Sequence, residues 1–141
     1  MIRYFKAGDE KAIAEIEKEC FLEPWSEQAV LDSANLDYVF VLFEKDGQAV
    51  GYAGLQIVLD EGYITNIAVK KAFRRQGIAT ALINELLKFL NDKLSFISLE
   101  VRASNSAAIK LYKLLGFTKA GIRKNFYSAP KEDALIMTKR R

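Results

Sequence analysis

The spacing of apolar residues changes twice along this chain, and that change limits the possible folds more than any other feature. Tyr38–Glu44 and Gln48–Leu59 are rich in β-branched and aromatic residues and are joined by Asp46-Gly47, a dipeptide suited to a two-residue hairpin turn. Asp60-Glu61-Gly62 leads into a third such run, Tyr63–Val69, so together they predict an antiparallel meander. From Ile78 the period lengthens. Ile78, Leu82, Leu86 and Leu90 fall four apart with Ala79 and Ile83 beside them, which predicts an amphipathic helix of about four turns. Ser95–Val101 reads as strand again. A strand, a crossover helix and a second strand introduce one parallel pair into an otherwise antiparallel sheet.

The flanks extend this order. Ile2–Lys6 reads as a strand, and Ile13, Ile16 and Cys20, three and four apart, as the apolar stripe of a helix opened by Asp9. Ser26, after Pro24-Trp25, is placed to cap a helix carrying Ala29, Val30 and Ala34. Ser106–Leu115 predicts a further helix, and Phe117–Phe126 and Ala134–Thr138 two last strands. The expected class is α/β (α+β), a mixed, mostly antiparallel sheet of six to seven strands with about four helices. A length of 141 residues predicts a single domain over 1–141. Cys20 is expected as a buried core thiol, and Lys139-Arg140-Arg141 as a solvated tail.

Composition removes several chemistries. With no histidine, Ser-His-Asp and Cys-His catalysis and imidazole metal sites are excluded. A single cysteine allows neither an internal disulfide nor a cysteine zinc cluster, and fits a reducing cytoplasm. A net charge of +3 falls far short of a DNA-binding stripe, and apolar runs such as Tyr38–Phe43 are too short to span a bilayer. The expectation is a cytoplasmic chain that needs no metal, DNA or membrane.

The segment richest in chemistry is Ile67-Ala68-Val69 followed by Arg74-Arg75-Gln76-Gly77-Ile78-Ala79, a basic, small-residue turn between a strand and a long helix. Unpaired N–H groups at a helix start, with the helix dipole behind them, form an anion site, and Gly77 and Ala79 allow close approach of a pyrophosphate. The turn has neither a Walker ending nor three fingerprint glycines.

Arg-x-x-Gly-x-Ala at Arg74–Ala79, placed between strand and helix, resembles the acyl-coenzyme A motif of the GNAT superfamily of N-acetyltransferases, and the order of elements agrees from Ile2 to Met137. Pro24-Trp25-Ser26, Asn66–Val69, Leu99–Asn105, Ala108-Ile109, Leu111-Tyr112, Leu115–Phe117 and Glu132–Ala134 resemble the branch that acetylates the N-terminal alanine of a ribosomal protein. The resemblance implies the GNAT fold, with its parallel pair around an acetyl-coenzyme A site. It implies that the main chain at Ile67, Ala68 and Val69 pairs with the pantetheine arm. Arg74, Arg75, Gln76, Gly77, Ile78, Ala79 and Thr80 make up the pyrophosphate turn, and Asn105 contacts the coenzyme. It further implies Glu100 as general base and Tyr112 as general acid.

The residues also carry plain alternatives. Glu100 could be a surface carboxylate, Tyr112 a core ring in the stripe Ala108-Leu111-Tyr112-Leu115, and Asn105 the cap of that helix. A glutamate near its ordinary value of about 4.3 is a weak base unless burial raises it, and burial is the expectation for Glu100. An α-amine, at about 7.7–8.0, is the easier nucleophile than a lysine at about 10.4. The resemblance implies Trp25, Phe126 and Tyr127 at the acceptor groove, with ordinary packing as the alternative for each, and Glu23, Asp32 and Asp37 are candidates to attract a basic target, with plain solvation as theirs. The expected function is acetyl transfer to a protein N-terminus, with a small amine, a lysine or a non-catalytic coenzyme-binding role as alternatives.

Overall fold

A computed structural model describes residues 1–91 and 93–141. Its elements are β1 (Ile2–Tyr4), α1 (Asp9–Cys20), α2 (Glu27–Ala34), β2 (Tyr38–Lys45), β3 (Gln48–Val58), β4 (Glu61–Val69), α3 (Ile78–Leu87), β5 (Phe96–Arg102), α4 (Ser106–Leu114), β6 (Thr118–Ser128) and β7 (Lys131–Arg140). They form one seven-stranded sheet in the order β1-β2-β3-β4-β5-β7-β6. Every neighbouring pair is antiparallel except β4 with β5.

Strand alternation divides the core between the two faces of the sheet. On β2, Phe40 and Leu42 point to one side, where with Tyr52 and Ala68 they pack against Ile13 and Ile16 of α1 and Val30 of α2. Val41 points to the other, where α3 contributes Ile78, Leu82, Ile83 and Leu86, and α4 lays Ala108, Leu111 and Tyr112 at the margin. The result is helix, sheet and helix in three layers.

Local chemistry sets the boundaries. Asp46 and Gly47 have φ of 54° and 78° and sit between the paired Lys45 and Gln48, as a two-residue primed turn requires. Leu59-Asp60 makes the next turn, so β4 starts at Glu61 rather than at Tyr63. The α3 helix stops at Leu87, and Lys88–Leu90 tighten into a 3₁₀ turn, shorter than the four turns expected from leucine spacing. Asp9 is the first helical residue of α1 but does not cap it; Gly8, at φ 103°, stands at that position. The Asp9 carboxylate is held instead by a fork from Arg3, at 2.7 Å to each oxygen, and by the Lys6 N–H at 2.8 Å. Ser26 caps α2 as expected, its hydroxyl accepting from Ala29 N–H at 3.1 Å. Lys139 and Arg140 belong to β7 and the Arg141 N–H bonds to the Ser95 carbonyl at 3.0 Å, so the expected solvated tail is part of the sheet.

Candidate active site

β4 and β5 pair over only four residues, from Glu61 opposite Phe96 to Ile64 opposite Leu99. At that point Thr65 is an extra residue in β4, because Leu55 pairs with Ile64 while Gly54 pairs with Asn66. A bulge bends its strand, and here the two parallel strands part. A cavity of about 730 Å³ opens in the gap. Its walls are Ile64–Ile67 of β4, Leu99–Arg102 of β5, Asn105 and Tyr112 at α4, the end of α1 with the loop to Trp25, and the Phe126–Pro130 turn. The cavity therefore brings together Glu100, Tyr112, Asn105 and Ile67. Ala68 and Val69 continue β4 with their side chains buried. Arg74–Thr80 lie past the end of that strand.

Glu100 has two unlike oxygens. Oε1 is 3.5 Å from Nη2 of Arg123. Oε2 is buried and has no hydrogen-bond partner, the one such side-chain atom among the described residues. Buried carboxylate oxygens are ordinarily satisfied, so this site fits a ligand that donates a hydrogen bond. Tyr112 serves both readings made of it: its ring lies 6.0 Å from that of Phe117, while the residue lines the cavity. Burial pushes its phenol up to about 12, with Tyr127 a smaller cause. The ordinary value of about 10 therefore understates how firmly this phenol keeps its proton. Asn105 likewise caps α4, its Oδ1 accepting from Ala108 N–H at 3.2 Å, and faces the cavity.

At the turn before α3, Arg75 and Gly77 take positive φ of 63° and 78°. The Ala81 N–H is the first taken up within the helix, by the Gly77 carbonyl at 3.0 Å, which leaves Ile78, Ala79 and Thr80 with N–H groups free to meet an anion. Arg75 is exposed there. Arg74 is turned back, bonding the Val69 carbonyl at 2.9 Å and approaching Cys20 Sγ at 3.5 Å. Gln76 accepts from Lys45 Nζ at 2.8 Å. This arrangement fits a pyrophosphate held by main-chain donors and Arg75.

The Phe126–Pro130 wall of the cavity is more ordered than its sequence indicates. Three residues of β6, 124–126, bulge opposite Asp133, with Asn125 at φ 54° and its N–H on Asp133 Oδ1 at 2.8 Å. Arg102 ties the following turn to β5, donating to the carbonyls of Pro130 at 2.9 Å and Ala129 at 3.1 Å, and lies 4.2 Å over the Tyr127 ring. Trp25, Phe126 and Tyr127 all line the cavity, and so does Glu23. Asp32 and Asp37 do not; they accept from Gln28 and Gln56.

Two residues stand differently from their sequence reading. Cys20 is half-buried at the cavity wall, its thiol 3.5 Å from the Val69 carbonyl, because α1 ends where β4 leaves its neighbour. Glu17, not singled out by sequence, is 1 % exposed. It accepts from Trp25 N–H at 2.9 Å and from the Tyr52 hydroxyl at 2.5 Å, fixing the loop that follows α1. Its signal was present: a carboxylate four residues after Ile13, on the apolar stripe of α1. Arg123 carried none, lying in a strand whose neighbours are mostly polar.

The model of the Acetyltransferase (GNAT) family matches residues 10–117. This chain belongs to that family. The [ribosomal protein bS18]-alanine N-acetyltransferase of Escherichia coli is 39 % identical over 139 residues, covering 96 % of this chain and 94 % of that one. The enzyme of the same name from Haemophilus ducreyi is 36 % identical over 141 residues, with 97 % of each chain covered. The crystal structure of the Escherichia coli enzyme superposes with a TM-score of 0.91 at 36 % identity, covering 99 % of this chain and 92 % of that one. The GNAT resemblance read from Arg74–Ala79 and the fold expected from it are borne out.

Proposed function

We propose that this chain transfers the acetyl group of acetyl-coenzyme A to a protein N-terminal α-amine, that of the alanine at the start of a small-subunit ribosomal protein. The observation that carries this reading is Glu100, which lines the cavity between β4 and β5 and has one buried, unpartnered carboxylate oxygen, in a chain of this family. The named relatives at 36–39 % identity support the choice of acceptor.

Each residue has its part. Beyond Ile64, β4 has no strand partner on its β5 side, so the main chain from Ile67 is available to an extended pantetheine arm, up to the Val69 carbonyl that Arg74 occupies. The donors at Ile78–Thr80 with Arg75 hold the pyrophosphate, Arg74 braces that turn through the Val69 carbonyl, and Asn105 meets the coenzyme from the α4 cap. Glu100 accepts a proton from the acceptor ammonium. The amine nitrogen then bonds to the acetyl carbon as the carbon–sulfur bond breaks, the nitrogen releases its second surplus proton to solvent, and the coenzyme leaves as its thiolate. Tyr112 donates a hydrogen bond to the departing sulfur. An α-amine near 7.7–8.0 requires little help to lose its proton at neutral pH, which matches a single glutamate in that role. Among the described residues no helix is long and apolar enough to cross a membrane. A ribosomal acceptor supports work in the cytoplasm.

The test offers purified protein acetyl-coenzyme A with four acceptors: a basic peptide starting with alanine, the same peptide with a blocked N-terminus, a lysine peptide and a polyamine. Coenzyme release with one acetyl added only to the free α-amine is expected. Acetylation of the blocked peptide, the lysine peptide or the polyamine instead would reassign the acceptor.

A further inference from the structure

We infer that Arg123 is a positioning residue for acetyl transfer, pairing with Oε1 of Glu100 so that the carboxylate keeps its place in the cavity wall, where the acceptor ammonium arrives. This rests on the reading of Glu100 as proton acceptor. The two oxygens are already in different states: one lies 3.5 Å from a guanidinium, and the other is buried and unpartnered. A glutamate has three side-chain torsions, and a contact at one oxygen is the direct way to fix where the carboxylate sits.

The surroundings leave this task to Arg123. Arg102, two residues along β5, is engaged by Pro130, Ala129 and Glu132. Tyr112 from α4, Tyr127 from β6 and Glu17 from α1 share the cavity, and none is a cation. Among the described residues, Arg123 is the one cation paired with Glu100. Its own placement is built in: the bulge at 124–126 separates it from Tyr127, and its guanidinium lies 5.2 Å from the ring of Phe126 at the cavity wall. The Arg123 side chain is 57 % exposed, so replacing it removes no core packing.

The experiment is a double-mutant cycle of Arg123→Gln and Glu100→Gln, with Arg123→Lys beside it, measuring kcat and both KM values. Arg123→Gln is expected to lower kcat about tenfold, since small displacements of a reacting group carry large rate losses. The KM for acetyl-coenzyme A should stay within about twofold, and Arg123→Lys should recover most of the loss. In the Glu100→Gln background, Arg123→Gln should change kcat by less than about twofold. An equal loss in both backgrounds, or no loss in the wild-type background, overturns the inference while leaving Glu100 in place. Wild-type turnover by Glu100→Gln overturns the reading of Glu100 itself and this inference with it, so the two failures are distinguishable. Thermal melting of each variant checks that the fold is retained.

Discussion

Replacing Tyr112 with phenylalanine separates two ways in which a phenol can assist a leaving thiolate. The buried phenol sits at about 12, and a thiol ordinarily near 8.5 lies about 3.5 units lower, so full proton transfer is uphill by roughly 5 kcal/mol. A hydrogen bond to a charged sulfur is worth about 1.5–3 kcal/mol without moving the proton. Tyr112→Phe should therefore lower kcat by about 10- to 100-fold, and the ring, which packs against Phe117, should keep the fold intact. The assay is coenzyme thiol release at saturating coenzyme and peptide, followed from pH 7 to 10. A phenol at about 12 stays protonated throughout, so it adds no basic limb to the profile. A loss below about threefold would remove the hydrogen bond from the mechanism. A basic limb near pH 9 that disappears in the variant would refute the burial argument.

Two glycine substitutions should fail for opposite reasons. A Cβ at Gly54 lies 2.8 Å from Cε1 of the buried Phe40 ring, so Gly54→Ala should cost about 1–3 kcal/mol by overpacking, read as a lowered urea midpoint. A Cβ at Gly77 meets nothing within 4 Å, but φ is 78°, so Gly77→Ala should cost about 1–2 kcal/mol in backbone strain and raise the KM for acetyl-coenzyme A. Arg3 holds the Asp9 carboxyl below its ordinary range, so this contribution is present above about pH 4 and lost as pH falls further; Asp9→Asn should melt lower at neutral pH and show a shallower acid decline. At the alkaline end the sign reverses. Tyr112 keeps its proton in the folded state up to about 12, so about 3 kcal/mol present below pH 10 is lost by pH 12, and chemical denaturation of Tyr112→Phe should show a smaller alkaline decline.

The sequence carried most of the scaffold because its signals there are local. Asp46-Gly47 specifies a primed turn by its own backbone preferences, Ser26 caps through its own hydroxyl, and the leucine spacing in α3 is its buried face. The anion-binding form of the turn before α3 was legible for the same reason, since the free N–H groups at Ile78–Thr80 follow from where a helix begins. Residues whose roles depend on distant partners were not legible. Glu17 is defined by Tyr52, 35 positions away, and Arg123 by a strand that reaches it only through β7. Asp9 looked like a cap because acidic residues favour helix starts, but the fork from Arg3 is a tertiary contact that took precedence. The bulge at Thr65, which opens the cavity, has no turn residue to announce it.

The position of β7 between β5 and β6 bears on how the site is assembled as the chain folds. β7 is the last strand in chain order, yet it is interior to the sheet, pairing with β6 on one side and β5 on the other. The strand bearing Glu100 therefore keeps one open edge until residues 131–140 arrive. The β6–β7 hairpin is local in sequence and can close within microseconds, whereas its docking onto β5 must bridge a longer loop. Docking delivers Arg123, Tyr127 and the Arg102 contacts in one movement. A chain stalled before that movement can form the turn before α3 but lacks the cavity wall that β6 and the Phe126–Pro130 turn supply, so the pocket is complete only when the final hairpin seats.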